Sequence, residues 1–100
     1  MSFVVFFRPA ILRKIMTNDE IRAIVKHLIA RITSISPEEI ADNASYKGDL
    51  KLDSLTILEI AVDTEYQFKI RIPEDELSAI DTIEDTVNIV QQHLSAATSG

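Results

Sequence analysis

The clearest alternation of apolar and polar positions in this chain follows Thr17. Thr17 and Glu20 have the residue types and spacing of a capping box, in which a hydroxyl and a carboxylate satisfy free backbone N–H groups. Apolar residues then recur three and four positions apart, the spacing of one helix face. They are Ile21, Ile24, Val25, Leu28, Ile29 and Ile32. The pattern predicts a first helix that packs this face against a core.

A second apolar stretch, Ser54 to Phe68, has almost no polar face in its first three turns. Its polar positions form one narrow stripe, from which the carboxylates of Glu59 and Asp63 are expected to point outward. A helix that is apolar on most sides is typically buried on most sides. We therefore expect this helix to be the central one of a bundle.

A long loop, a short helix and a last helix complete the predicted architecture. About twenty residues separate the first two helices, and a loop of that length is usually functional or held by its own apolar contacts. The contacts expected here involve Ile35, Ile40, Tyr46, Leu50 and Leu52.

Lys69 to Pro73 alternates like a strand but has no partner strand, so we interpret it as an extended connection. Glu74 to Ile80 predicts a short helix with acidic residues in its first turn, where the helix dipole favours them. Asp81 or Thr82 is expected to cap the last helix. The buried positions predicted for that helix are Ile83, Val87, Val90 and Leu94. The fold class is therefore all-α: a small bundle of three longer helices, a short helix before the last, and a long first loop.

Charge is unevenly distributed along the 100 residues, whose net charge is −6. Arg8, Arg13 and Lys14 give the first sixteen residues +3, which leaves −9 for the remainder. This imbalance argues against nucleic acid and anionic membranes as partners, and favours proteins with basic patches. The chain contains no cysteine, so it forms no disulfide, which is compatible with a cytoplasmic protein.

The N-terminal stretch Met1–Lys14 contains the apolar run Phe3–Phe7. This run is shorter than the apolar region of a signal peptide, and Arg8 and Pro9 interrupt it. It is also too short to span a membrane. We interpret residues 1–16 as an extension outside the core, with a docking segment as the less favoured alternative.

Asp53 and Ser54 stand where the second helix is predicted to begin. A phosphate attached to Ser54 would face free backbone N–H groups and the positive end of the helix dipole, an effect of about 0.3–1 kcal/mol at an exposed end. The simpler interpretation is that the two residues only cap the helix, as such residues commonly do.

This order of helices, with Asp53-Ser54-Leu55 opening the second, resembles the acyl carrier proteins over residues 17–95. The resemblance implies that Ser54 bears 4′-phosphopantetheine, transferred from coenzyme A by a phosphopantetheinyl transferase that recognises Asp53 and Leu55. It also implies that partner enzymes dock at Glu59, and the charge pattern adds Asp63. Ile72-Pro73 matches the dipeptide that follows the second helix in the family.

The chain departs from the family pattern at three positions near this motif. Lys51 stands where the family usually has glycine, and Thr56 and Tyr66 stand where many fatty-acid carriers have acids. The acidic docking face is therefore thinner than usual, which favours a dedicated or specialised pathway.

The resemblance implies a freestanding, monomeric carrier that is not itself an enzyme. The thiol of its prosthetic group is expected to carry acyl intermediates as thioesters between enzymes of fatty-acid, polyketide or related specialised synthesis. The expected partners are the transferase and acyl-loading and acyl-processing enzymes with basic docking patches. Residues 96–100 are expected to be a flexible tail.

Two alternatives remain open at this point. One is an aminoacyl or peptidyl carrier, against which the acidic balance and Leu52 before the aspartate argue. The other, from a different class, is an unmodified acidic helical adaptor that only binds a partner protein.

Catalytic and metal-binding interpretations have little support in the sequence. Ser54 lacks the G-x-S-x-G motif of hydrolases, and the spacing of His27 and His93 indicates no catalytic triad. The segment from Asp42 fails as a calcium loop because Ala44 and Tyr46 occupy ligand positions. We therefore expect no metal site.

The sequence leaves two interpretations of one group of apolar residues open: close packing in the core, which is the more common role, and an apolar space between the helices that shelters an acyl chain. The residues concerned are Leu58, Ala61, Val62, Ile80, Ile83 and Val87.

Overall fold

The computed structural model describes residues 16–99, with side chains through Ser95. This part of the chain forms four α-helices: α1 (Asn18–Thr33), α2 (Ser54–Phe68), α3 (Glu74–Ala79) and α4 (Ile83–Ser99). A 3-10 helix, Pro37–Glu39, lies in the first loop. No strand is present between residues 16 and 99, where the single isolated β-bridge joins Ser45 to Thr82. The predicted all-α architecture, with three long helices and one short helix, is confirmed.

The predicted N-terminal extension lies, up to residue 15, outside the described residues. Its last residue, Met16, is partly buried and packs against the core. The backbone oxygen of Met16 accepts a hydrogen bond from Gln91 Nε2 at 3.0 Å. This contact fixes the start of the described chain beside α4.

α1 begins at the predicted capping box. Thr17 Oγ1 accepts from the Glu20 N–H at 3.1 Å, and Glu20 Oε1 accepts from the Thr17 N–H at 2.8 Å. Ile21, Val25 and Ile29 are fully buried. α1 packs against both α2 and α4, so it occupies the middle of the bundle.

The expectation that α2 is the central helix is therefore wrong. α2 buries one face, formed by Ile60, Ala61, Thr64 and Phe68. Four other apolar side chains of α2 are exposed: Leu55 (77%), Leu58 (46%), Val62 (53%) and Tyr66 (84%). Because the central position belongs to α1, α2 has one buried side and presents its remaining apolar residues to solvent.

The long first loop folds back onto the start of α4. The Tyr46 N–H donates to the Asp81 oxygen, and the Ile83 N–H donates to the Ala44 oxygen, both at 3.0 Å. Ile40 and Tyr46 are buried as predicted, together with Ala44, which was not among the predicted loop contacts. The other predicted loop contacts, Ile35, Leu50 and Leu52, are partly buried against the core.

The segment between α2 and α4 also follows the prediction closely. The extended connection is held by the Ile72 N–H, which donates to Glu65 Oε2 at 2.7 Å. Thr82 caps α4, since its Oγ1 accepts from the Asp85 N–H at 3.2 Å. The predicted buried positions of α4 are all buried: Ile83, Val87, Val90 and Leu94. The backbone of α4 is helical to Ser99, so the helix extends into the segment expected to form the tail, residues 96–100.

Candidate functional site

Ser54 is the first residue of α2 and is exposed. Asp53 caps the helix: its Oδ1 accepts from the Thr56 N–H at 2.8 Å. This backbone hydrogen bond lowers the pKa of the Asp53 carboxyl below its ordinary value, because it favours the charged form. The Ser54 hydroxyl has no hydrogen-bond partner among the described side chains and backbone. The Ser54 hydroxyl is therefore accessible to solvent and has no competing hydrogen bond within the described part of the chain.

A cavity of about 580 Å³ adjoins Ser54 and extends between α2, α3 and the start of α4. Its apolar lining comes mainly from α2 and the α3 region: Ile57, Leu58, Ile60, Ala61, Leu77 and Ile80. A long flexible group attached to the Ser54 oxygen thus has both an open attachment point and an adjacent apolar space. The residues present fit a phosphopantetheine group.

Three of the six residues named for an acyl space line the cavity: Leu58, Ala61 and Ile80. Val62 does not line it and is 53% exposed. Ile83 and Val87 are fully buried and pack in the core, which was the other interpretation left open. The cavity thus lies towards α3 and the first loop rather than in the centre of the bundle.

Polar side chains form part of the cavity wall, a feature that sequence reasoning missed. Tyr46 and Thr86 both line the cavity, and their hydroxyl oxygens are 2.6 Å apart. Burial raises the pKa of Tyr46 to about 12, so its hydroxyl stays protonated at neutral pH. Thr64 also lines the cavity, and its Oγ1 donates to the Ile60 oxygen at 2.7 Å. No sequence signal revealed the contact between Tyr46 and Thr86, because 40 positions separate them along the chain.

The two candidate docking carboxylates differ in their surroundings. Glu59 is exposed, and no ion pair joins it to the other described residues. Asp63 Oδ2 lies 2.7 Å from Arg31 Nη2 of α1. Part of the Asp63 charge is therefore neutralised within the molecule, whereas the Glu59 charge is available to a partner.

Glu59 lies among the exposed apolar residues of α2. Leu55, Glu59, Val62 and Tyr66 follow one another at intervals of four, three and four, so they share one side of the helix. We call Leu55, Leu58, Glu59, Val62 and Tyr66 the outer face of α2. It runs from the residue after Ser54 to the last turn of the helix, and it combines apolar surface with one free carboxylate.

Lys51 has a left-handed backbone conformation, with φ at +58°. Glycine adopts this conformation without strain, whereas other residues meet a clash between Cβ and the backbone. The resemblance implies a glycine at this position, and glycine would adopt this conformation without strain. Lys51 adopts it at a conformational cost.

The histidines and acidic residues form other contacts. His93 Nε2 lies 2.9 Å from Glu76 Oε1, and His27 is exposed on α1. Lys26 pairs with Asp42 at 2.5 Å, and its hydrogen bond lowers the pKa of that carboxyl. Residues 16–99 contain no group of three or more potential ligands that could hold a metal ion. None of the helices in this range has the length and hydropathy needed to cross a membrane.

Comparison with known families identifies the same region of the chain. The family model described as the phosphopantetheine attachment site matches residues 19–90. The chain is 38% identical over 77 residues to a meromycolate extension acyl carrier protein of Mycobacterium leprae, covering 77% of this chain and 67% of that protein. It is 34% identical over 76 residues to an acyl carrier protein of Rhodococcus erythropolis, covering 76% of this chain and 84% of that protein.

Solved structures agree with the fold. An acyl carrier protein from Thermotoga maritima superposes with a TM-score of 0.71 at 21% identity, covering 80% of this chain and 93% of that one, and supports the fold alone. The apo doublet acyl carrier protein from prodigiosin biosynthesis superposes with a TM-score of 0.68 at 26% identity. That match covers 81% of this chain, which spans only 40% of the doublet. Together with the family match, these similarities show that the chain belongs to the phosphopantetheine-binding acyl carrier protein family.

Proposed function

We propose that Ser54 is the attachment site of 4′-phosphopantetheine in this carrier, and that residues 17–95 are the domain that a phosphopantetheinyl transferase recognises. The observation that supports this most strongly is the Ser54 hydroxyl itself. It is exposed, has no partner in the described part of the chain, and stands at the start of a 15-residue helix beside a cavity. Asp53 holds this helix start in place by capping it.

Attachment is a phosphoryl transfer in the active site of the transferase. The Ser54 oxygen attacks the β-phosphorus of coenzyme A, and an oxygen–phosphorus bond forms. The bond from that phosphorus to the bridging oxygen breaks, adenosine 3′,5′-bisphosphate leaves, and a base of the transferase takes the hydroxyl proton. Magnesium belongs to this step and is held by the transferase and the diphosphate.

The start of α2 favours the product of this reaction. The phosphodiester carries a negative charge, and the free N–H groups and dipole at the N-terminus of a helix stabilise an anion. Once attached, the group supplies a terminal thiol on which acyl groups travel as thioesters between enzymes. Tethering replaces repeated capture from solution by a high effective concentration.

The outer face of α2 is the proposed docking surface for the transferase and for acyl-loading and acyl-processing enzymes. Glu59 would steer partners that carry basic patches, because an exposed unpaired charge raises the association rate. The apolar residues around it would contribute contact area. Asp63 has a smaller role than the sequence implied, because Arg31 already binds it. The relatives named for meromycolate extension support a specialised acyl-extension pathway rather than a general one.

The proposal is tested by incubating the purified chain with coenzyme A, magnesium and a transferase, followed by intact-mass measurement. We expect a gain of one phosphopantetheine in the wild type and none in Ser54→Ala. Ser36→Ala is the matched control, since Ser36 is an exposed serine next to the start of the 3-10 helix and, like Ser54, makes no side-chain cap bond. It should be modified like the wild type. No gain in mass with several competent transferases, or a gain that persists in Ser54→Ala, would refute the assignment.

An unmodified adaptor is the second candidate, and the exposed apolar outer face of α2 is the observation that favours it. The two functions separate in a cell that depends on this chain. An adaptor tolerates Ser54→Ala and fails with Glu59→Lys. A carrier fails with Ser54→Ala even though partner binding by the outer face is retained.

A further inference from the structure

The hydroxyl pair in the cavity wall has hydrogen-bonding capacity to spare. Each hydroxyl has one proton to donate and two lone pairs to accept. The contact between Tyr46 and Thr86 uses one proton and one lone pair. Neither oxygen has a further hydrogen bond to the described residues, so among these residues one O–H donor of the pair has no acceptor.

The pair belongs to two almost completely buried residues that form part of the wall of the cavity beside Ser54. Tyr46 is 1% exposed and Thr86 is 2% exposed, so the pair is removed from bulk solvent. Both residues line the same cavity as Ser54. A buried donor without an acceptor is unfavourable, and a ligand that supplies the acceptor removes this cost.

We propose that the cavity selects acyl chains that carry an oxygen function, a ketone or a hydroxyl, over plain alkyl chains of the same length. A ketone oxygen accepts the spare O–H of the pair, and a hydroxyl group accepts or donates there. A plain alkyl chain leaves the donor unpaired and displaces any water that would have satisfied it. The inference rests on the proposed attachment at Ser54 and specifies its cargo class.

Thr64 provides an internal comparison in the same cavity. Its hydroxyl is also buried, but its proton is already donated to the Ile60 oxygen. It therefore has no donor to offer a cargo oxygen. Removing the Thr64 hydroxyl should not change the discrimination, whereas removing both hydroxyls of the pair should abolish it.

The test compares melting temperatures of carriers loaded from coenzyme A thioesters. The loads are octanoyl and three isomeric oxo derivatives of it, 3-oxo-, 5-oxo- and 7-oxo-octanoyl. Each melting temperature is compared with that of the same protein bearing unacylated phosphopantetheine. In the wild type we expect at least one oxo isomer to raise the melting temperature by about 4–8 °C more than octanoyl, the shift that one net hydrogen bond gives in a domain of this size. Equal shifts for octanoyl and all three isomers would overturn the inference.

The double variant Tyr46→Phe/Thr86→Val removes both hydroxyls and nearly conserves volume, and we expect it to show no difference between the loads. The control Thr64→Val should retain the difference. A difference that survives in the double variant would assign the effect elsewhere and overturn the inference.

The mass of each loaded protein is measured first. A chain that gains no mass refutes the attachment at Ser54 and the cargo class with it. A loaded chain whose melting temperature does not distinguish the loads refutes the cargo class alone.

Discussion

α1 and α2 are similar in length and both rich in apolar residues, but they use those residues differently. α1 buries Ile21, Val25 and Ile29 completely and packs against two other helices. α2 leaves Leu55 and Tyr66 largely exposed, beside the free carboxylate of Glu59. An apolar side chain that stays in water contributes little to folding. The difference indicates that α1 holds the fold together, while much of α2 is available for interaction with other proteins.

The largest expected effect comes from truncating a core residue of α1. Ile29→Ala should lower the free energy of unfolding by about 2–5 kcal/mol, because it removes buried methyl groups and leaves a cavity. Val62→Ala, on the outer face of α2, should change it by no more than about 0.5 kcal/mol. Urea unfolding of the two variants measures both values. Similar losses would show that α2 is as central to stability as α1.

The next effect separates the two carboxylates of α2 in the reaction with the transferase. Glu59→Gln should raise the KM for the carrier about three- to tenfold at low salt, because the removed charge is free to steer the partner. Asp63→Asn should change the KM much less, because Arg31 already binds this carboxylate. Steady-state kinetics with and without added salt test this, since screening should shrink the Glu59 effect. Equal effects of the two substitutions would contradict the assignment of docking to Glu59.

A smaller effect concerns the approach to α2. Lys51→Gly should stabilise the chain by about 0.5–1 kcal/mol, because relief of the left-handed strain exceeds the added entropy of the unfolded chain. Lys47→Gly is the matched control: Lys47 is also an exposed lysine of the loop, and its φ is not positive. It should be neutral or destabilising. Denaturant unfolding of the two variants measures both changes in stability. A loss of stability in Lys51→Gly would mean that the lysine side chain itself is needed at this position.

The smallest effect is a pH dependence at the α2 cap. The pKa of Asp53 is lower in the folded chain than in the unfolded chain, so its contribution to stability is complete above the unfolded value. The unfolded value is about 4, and the contribution is lost as the pH falls below it and through the folded value. Asp53→Asn retains a capping oxygen without the titration, so its stability should fall less steeply between pH 5 and 2. Parallel curves of unfolding free energy against pH for the wild type and Asp53→Asn would exclude Asp53 as the source of the pH dependence.

The helix boundaries were predictable because local residues determine them. The capping box at Thr17 and the carboxylate of Asp53 satisfy backbone groups within four residues, and the first two helices begin there in the structure. Ser54 could be placed at a helix start for the same reason.

The central position of α1 and the detail of the cavity were not predictable. Which side of α2 is buried depends on where α1 lies, and the apolar residues of α2 do not encode that. Arg31 and Asp63 meet across 32 positions, and Tyr46 and Thr86 across 40. The second contact exists only because the first loop returns to α4. Contacts between such distant residues arise from the tertiary fold, so spacing in the sequence does not reveal them.

The most direct test of this account is a fragmentation mass spectrum of the chain purified from its own cells. We predict one phosphopantetheine mass on the peptide that contains Ser54, with fragments that localise it to that side chain. An unmodified Ser54 in the whole population, or the same mass on any other residue, would contradict it.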